Sequence, residues 1–181
     1  MLTFWQKKAW IFSAQSKNMC KRLIAFFTVI SLMLVSVACK KEKVYGHCEL
    51  VINLDGDFYE EKNNDFDACY TNGKYVVGIL RISFDAAYSD GISDALNARQ
   101  FGAFWLTKCE RNVEIQRHKD IDYAEYEEVV LGTEYYYLAS FYRSNYAYFV
   151  VLFGTQKKDM DEGRVKFLDY STDIYFLENY K

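Results

Sequence analysis

"EYYYLASFYRSNYAYFVVLFG", residues 134–154, is the stretch on which the fold turns. Aromatic and β-branched side chains fill both arms, and these residue types favour a pleated, half-buried surface. The arms meet at Arg143-Ser144-Asn145. Their length and composition predict two antiparallel strands paired as the central hairpin of a sheet.

Upstream, "AEYEEVVL" (124–131) and "NVEIQR" (112–117) continue the strand grammar. Before them the period changes. Ala95, Ala98, Phe101, Gly102, Trp105 and Cys109 recur at helical spacing. Ser93 is the predicted N-cap, with Asp94 in a first turn where the helix dipole favours an acid. One helix of about four turns is thus predicted to cover one face of the sheet.

Nearer the N-terminus, "FDACYTNGKYVVGILRISF" (66–84) sets Asn72-Gly73 between two strand-like runs, a strong hairpin signal. A two-residue turn there pairs Tyr70 with Tyr75 and Cys69 with Val76. Alternation then places Cys69 on the face of Val76, Leu80, Ile82 and Phe84. "HCELVINL" (47–54) alternates with period two and predicts a further strand, with Cys48 coreward and His47 and Glu49 on the other face. Downstream, the acid-led "DMDEGRVKFLDY" (159–170) predicts a short helix, and "TDIYFL" (172–177) a strand that closes the sheet. The order gives an α+β fold, an antiparallel β-sheet flanked by helices.

The 181 residues are 51% hydrophobic and 18% aromatic, with no proline, which is a folding composition. Charge divides the chain. The first 39 residues hold five Lys and Arg and no acid; the rest sets 17 basic against 25 acidic side chains, a formal charge of −8. Such a surface repels phosphates, so nucleic acid is excluded as a partner.

"LMLVSVACKKEK" (32–43) explains the division. The apolar residues 23–38 follow the basic "MCKR" and end at Ala38-Cys39, the layout of a signal sequence. Sixteen residues fall short of the roughly 20 that a spanning helix needs. The boundary resembles the lipobox of bacterial lipoproteins, in which a small residue precedes a cysteine that takes a diacylglycerol thioether. Ser36 departs from the leucine usual at its place. An ordinary signal-peptidase cut after Ala38 is the alternative. The expected organisation is residues 1–18 as an upstream extension or long leader, 19–38 as a lipoprotein signal peptide, 39–45 as acylated Cys39 and a tether, and 46–181 as a single domain. Lys40, Lys41 and Lys43 would lie near anionic headgroups.

The strand order, with "INLDGDFYEE" (52–61), "YYYLASFYRSNYAYFVVLFGT" (135–155) and "EGRVKFLDYSTDIYF" (162–176), resembles the PsbP-like (PsbP/DcrB-type) family over residues 46–179. The resemblance implies a sheet sandwiched by helices and a non-catalytic accessory, assembly or binding role. It carries over no site residue.

Other constellations yield little chemistry. "NLDGDFYEEKNND" (53–65) sets Asn53, Asp55 and Asp57 at alternate places, but a calcium loop needs Gly sixth and Glu twelfth, where Phe58 and Asn64 stand. Two histidines, His47 and His118, do not make a zinc site or a triad. No metal, cofactor or catalytic residue is expected. Once Cys39 is acylated and Cys20 removed, Cys48, Cys69 and Cys109 remain. Either Cys48 and Cys69 form a bridge or all three are buried free thiols. Tyr135, Tyr137, Tyr146 and Tyr148 form either an aromatic surface for sugars or peptides or cross-strand pairs that stabilise the sheet. Asp122, Glu125, Glu127 and Glu128 read as a charged edge strand.

The expectation is a monomer held at a bilayer through Cys39, facing the extracytoplasmic side of the bacterial envelope beside another envelope protein. A sugar- or peptide-binding module and an extracytoplasmic enzyme are the alternatives.

Overall fold

A computed structural model describes residues 43–178. The leader, Cys20 and Cys39 lie outside the described residues, as do 179–181. The central hairpin forms where the sequence puts it, with β8 (Thr133–Arg143) against β9 (Ala147–Gln156). Ser144 closes it: its backbone N–H donates to Ala147 O at 2.9 Å, and its Oγ accepts from the N–H groups of Tyr146 and Ala147, each at 3.0 Å. Around this pair lie β3 (Tyr59–Glu60), β4 (Ala68–Thr71), β5 (Val76–Ser83), β6 (Gln116–His118) and β7 (Ile121–Val130). The seven strands run in the order β3-β4-β5-β9-β8-β7-β6, antiparallel throughout.

Every residue of β9 from Ala147 to Thr155 is buried, because both faces of the sheet are covered. Tyr148, Val150 and Leu152 point into one core, beneath α1 (Phe84–Ser89) and α2 (Ala98–Lys108). Ala147, Phe149, Val151 and Phe153 point into the other. That second core lies beneath α3 (Met160–Thr172) and a small sheet of β1 (Lys43–His47), β2 (Leu50–Leu54) and β10 (Tyr175–Phe176). The α+β class, with helices on both sides of an antiparallel sheet, is as the sequence predicts.

Several local expectations shift. Asn72 Oδ1 accepts from the N–H groups of Lys74 and Tyr75 at 3.0 and 2.7 Å, so the turn moves one residue on, with Gly73 at φ +83°. Cys69 therefore opposes Gly78 instead of Val76. The slip is an even one for the partner strand, so Cys69 keeps the face of Val76, Leu80 and Ile82.

Helix α2 starts later than predicted. Asn97 caps it in a reciprocal box with Gln100, while the Ser93 hydroxyl accepts from Ala95 N–H in the preceding turn. Phe84, read as the end of a strand, opens α1 instead, where the Ser83 side chain accepts from Ala86 N–H. β10 pairs with β2 and closes the small sheet, not the large one.

At the N-terminal side, residues 43–45 belong to β1 and not to a tether. β1 and β2 pair from Lys43 opposite Leu54 to His47 opposite Leu50, which leaves Cys48-Glu49 as the turn. Cys48 takes φ +53°, so "HCELVINL" is a turn followed by a strand.

Candidate functional site

The four tyrosines considered as a binding surface are divided by the sheet. Tyr135, Tyr137 and Tyr148 are buried in the core beneath α1 and α2; Tyr146 alone is exposed, in the turn between β8 and β9. Tyr148 stacks on Phe101 with centroids 4.4 Å apart, and its hydroxyl donates to Ser93 O at 2.9 Å and Leu96 O at 3.0 Å. Burial pushes the Tyr137 phenol well above its usual range, with Tyr126 and Glu128 adding to the effect. These rings are core, the packing reading of the two: Tyr135, Tyr137 and Phe141 share one face of β8 and one core.

The cysteine bridge is also absent. Cys48 and Cys69 carry free thiols; Cys69 is buried, while Cys48 and Cys109 are half-buried. Cys69 points toward α1 and α2, whereas Cys48 sits in the turn of the small sheet that covers the opposite face. The large sheet separates them. Burial pushes the Cys69 thiol up to about 12, aided by the nearby Glu61 carboxylate.

The acidic strand is neutralised residue by residue. Asp122 pairs with Arg99 at 3.2 Å, Glu125 with Arg164 at 2.6 Å, Glu127 with Lys157 at 2.8 Å and Glu128 with Arg111 at 2.7 Å. The period of β7 puts Ala124 and Tyr126 toward α2 and Tyr123 toward α3, so the four acids do not share a face. In the acidic loop, Phe58 is buried in the core and Asp55 pairs with Lys166 at 3.2 Å. Among the described residues no group of three His, Cys, Asp or Glu could hold a metal ion.

A cleft of about 450 Å³ runs along α2, bounded by Arg99, Ala103, Leu106, Thr107, Arg111 and Val113. Both of its arginines are engaged. Arg99 also donates to Ile115 O at 2.7 Å, and the Arg111 guanidinium lies 4.8 Å from the centre of the Tyr126 ring. Their charge is spent on Asp122 and Glu128, and the lining holds no nucleophile and base in hydrogen-bond reach.

The polar group that the sequence reading undervalued is Glu49. It is 1% exposed in the β1–β2 turn. Arg81 Nε donates to its carboxylate at 3.0 Å and Ser144 Oγ at 2.9 Å, so three turns and strands of distant sequence meet on one side chain. Burial raises its pKa, but its own backbone N–H, Arg81 and Ser144 outweigh that and hold it below the ordinary glutamate range. The sequence reading placed Glu49 inside one strand, on the face opposite Cys48, and so missed the turn that buries it.

Large apolar side chains are exposed in separate places: Val129 and Leu131 at the β7–β8 turn, Tyr88 on α1, and Val44, Tyr175 and Leu177 on the small sheet. No helix of the described residues is long and apolar enough to cross a membrane.

No family model matches the chain, and no curated protein matches it. Solved structures do. A crystal structure of a protein from Bacteroides thetaiotaomicron VPI-5482 aligns at a TM-score of 0.55, with 14% identity, over 77% of this chain and 50% of that one. The chain spans about half the length of that protein. Cyanobacterial PsbP (CyanoP) from Synechocystis sp. PCC 6803 aligns at a TM-score of 0.48, with 10% identity, over 81% of this chain and 98% of that one. At 14% identity the likeness to the Bacteroides protein is one of fold alone, and the PsbP alignment, at its score, carries no argument.

Proposed function

We propose that this chain is a lipid-anchored protein of the bacterial cell envelope with a non-catalytic accessory, assembly or binding role on the extracytoplasmic side. The observation that carries the reading is the junction at Cys39. A basic and apolar leader ends at Ala38-Cys39, and β1 begins at Lys43, so a folded domain follows the acceptor cysteine almost at once. A diacylglycerol thioether plus a further acyl chain anchors firmly, since each buried methylene contributes about 0.8 kcal/mol and one chain alone holds only marginally. The −8 balance of the remaining chain keeps most of the domain's surface away from anionic lipid.

The binding role is supported by where the polar chemistry goes. Asp122 and Glu128 are spent on the two arginines of the α2 cleft, Glu125 on Arg164 of α3 and Glu127 on Lys157. The exposed apolar side chains Val129, Leu131 and Tyr88 are open to a partner, which is another envelope protein, met by a monomer.

Metabolic labelling with a tagged fatty acid tests the anchor: the label enters the wild-type chain and is lost in Cys39→Ser. Label that persists in the variant, or an intact N-terminus on protein from the soluble fraction, removes the reading. Affinity capture of membrane-extracted protein against the same variant tests the role, and recovery of no specific neighbour counts against it.

A further inference from the structure

We infer that the outward face of the small sheet rests on the bilayer surface, so that the domain is held in one orientation; this rests on the lipid anchor proposed above. The inward face of that sheet is spent on the core, through Leu50, Ile52, Leu54 and Phe176. Alternation and pairing put the others outward: Val44 opposite Asn53, and Tyr175 opposite Val51, with Leu177 one step further along β10. Val44 is 69% exposed, Tyr175 47% and Leu177 46%, so β1, β10 and the residue after it all present apolar side chains. Gly46 lies opposite Val51 on the other side and adds no bulk of its own.

The occupant follows from the length of chain before β1. Cys39 and Lys43 are four peptide steps apart, at most about 14 Å when fully extended. An acylated Cys39 therefore places β1 within one short tether of the headgroups. A tyrosine flanked by aliphatic side chains is the pairing that suits such a boundary, with the ring in the apolar layer and the hydroxyl in water. The sequence between Cys39 and β1 includes Lys40 and Lys41, basic side chains that anionic lipid attracts, while the acidic remainder of the chain is repelled from it. Together these turn the small sheet toward the membrane and leave the side covered by α1 and α2 for other contacts.

The test uses the full chain, extracted and reconstituted in vesicles of phosphatidylethanolamine and phosphatidylglycerol that carry a nitroxide lipid. Tyr175→Cys and, as the control on α1, Tyr88→Cys are each labelled with an environment-sensitive fluorophore; labelled wild type supplies the background of the native thiols. Leu177→Cys replaces Tyr175→Cys should the latter not fold. The Tyr175 probe is expected to be quenched at least about two-fold more strongly than the Tyr88 probe, as an interfacial site requires. Equal quenching, with diacylglyceryl Cys39 found by mass spectrometry in the same material, overturns the orientation and leaves the anchor standing. Cys39 without its lipid overturns both. Cross-linking between copies through Tyr175→Cys assigns the face to a second copy and also overturns the proposal.

Discussion

Arg81 Nε donates to the buried carboxylate of Glu49 at 3.0 Å, across the gap between the small sheet and β5 of the large one. Ser144, in the β8–β9 turn, completes the carboxylate's partners at 2.9 Å. Removing Arg81 leaves an ionised group buried with only neutral partners, its own backbone N–H and Ser144. Arg81→Ala is therefore expected to lower stability by about 2–3 kcal/mol, below the full cost for a buried pair because the arginine itself is partly solvated. Urea unfolding checks it, and a double-mutant cycle with Glu49→Gln should show coupling of about 1 kcal/mol or more.

The same carboxylate makes stability depend on pH in a set direction. Its pKa is lower folded than unfolded, so the contribution is present above the ordinary glutamate value of about 4.3 and is lost as pH falls through the folded value. Wild type should lose this part of its stability on acidification, and Glu49→Gln should not. Urea midpoints compared at neutral and acid pH read the difference; parallel curves for the two proteins would sink the assignment.

Tyr148 separates core from binding surface. Tyr148→Phe removes a hydroxyl donating to Ser93 O and Leu96 O, at an expected cost of about 1 kcal/mol. Tyr148→Ala, which also empties the space against Phe101, should cost about 3–5 kcal/mol. Thermal unfolding would show the gradation; an alanine variant with an unchanged midpoint would mean that the ring is not core.

At Gly102 two effects oppose each other. Alanine favours a helix interior by about 1 kcal/mol over glycine. Here a Cβ would meet the Phe141 ring at 2.5 Å, beneath α2. Overpacking against a ring fixed in the core costs about 1–3 kcal/mol, so Gly102→Ala is expected to be net destabilising by circular-dichroism melts. A raised melting temperature would show that Phe141 can yield.

Cys69 should resist alkylation. Its thiol is buried and pushed up to about 12, so little thiolate exists at pH 8. Intact-mass measurement after iodoacetamide is expected to find Cys69 modified only in denaturant.

The parts of the fold that were legible are those where one physical signal dominates. The β8–β9 hairpin is aromatic and β-branched over its whole length, and α3 follows from an acid-led amphipathic run. The turn at Cys48-Glu49 was hidden because neither residue advertises a corner, and Cys48 adopts φ +53° without being glycine or asparagine. The N-cap moved because Ser93 and Asn97 both suit the role, and only Asn97 has Gln100 three places on to return the hydrogen bond. The tyrosine rows could not be placed from sequence because a tyrosine serves equally as core and as surface. It took the arrangement of α2 over the sheet to show that Tyr135, Tyr137 and Tyr148 face inward.

The large sheet ends on one side in β3, two residues long, and on the other in β6, three residues that read Gln-Arg-His. β6 pairs with β7 only from Ile121 to Tyr123, and the rest of that rim carries Glu125, Glu127 and Glu128, charged side chains that discourage another chain from pairing there. Charged rims of this kind let copies that meet edge to edge part again instead of growing into fibrils.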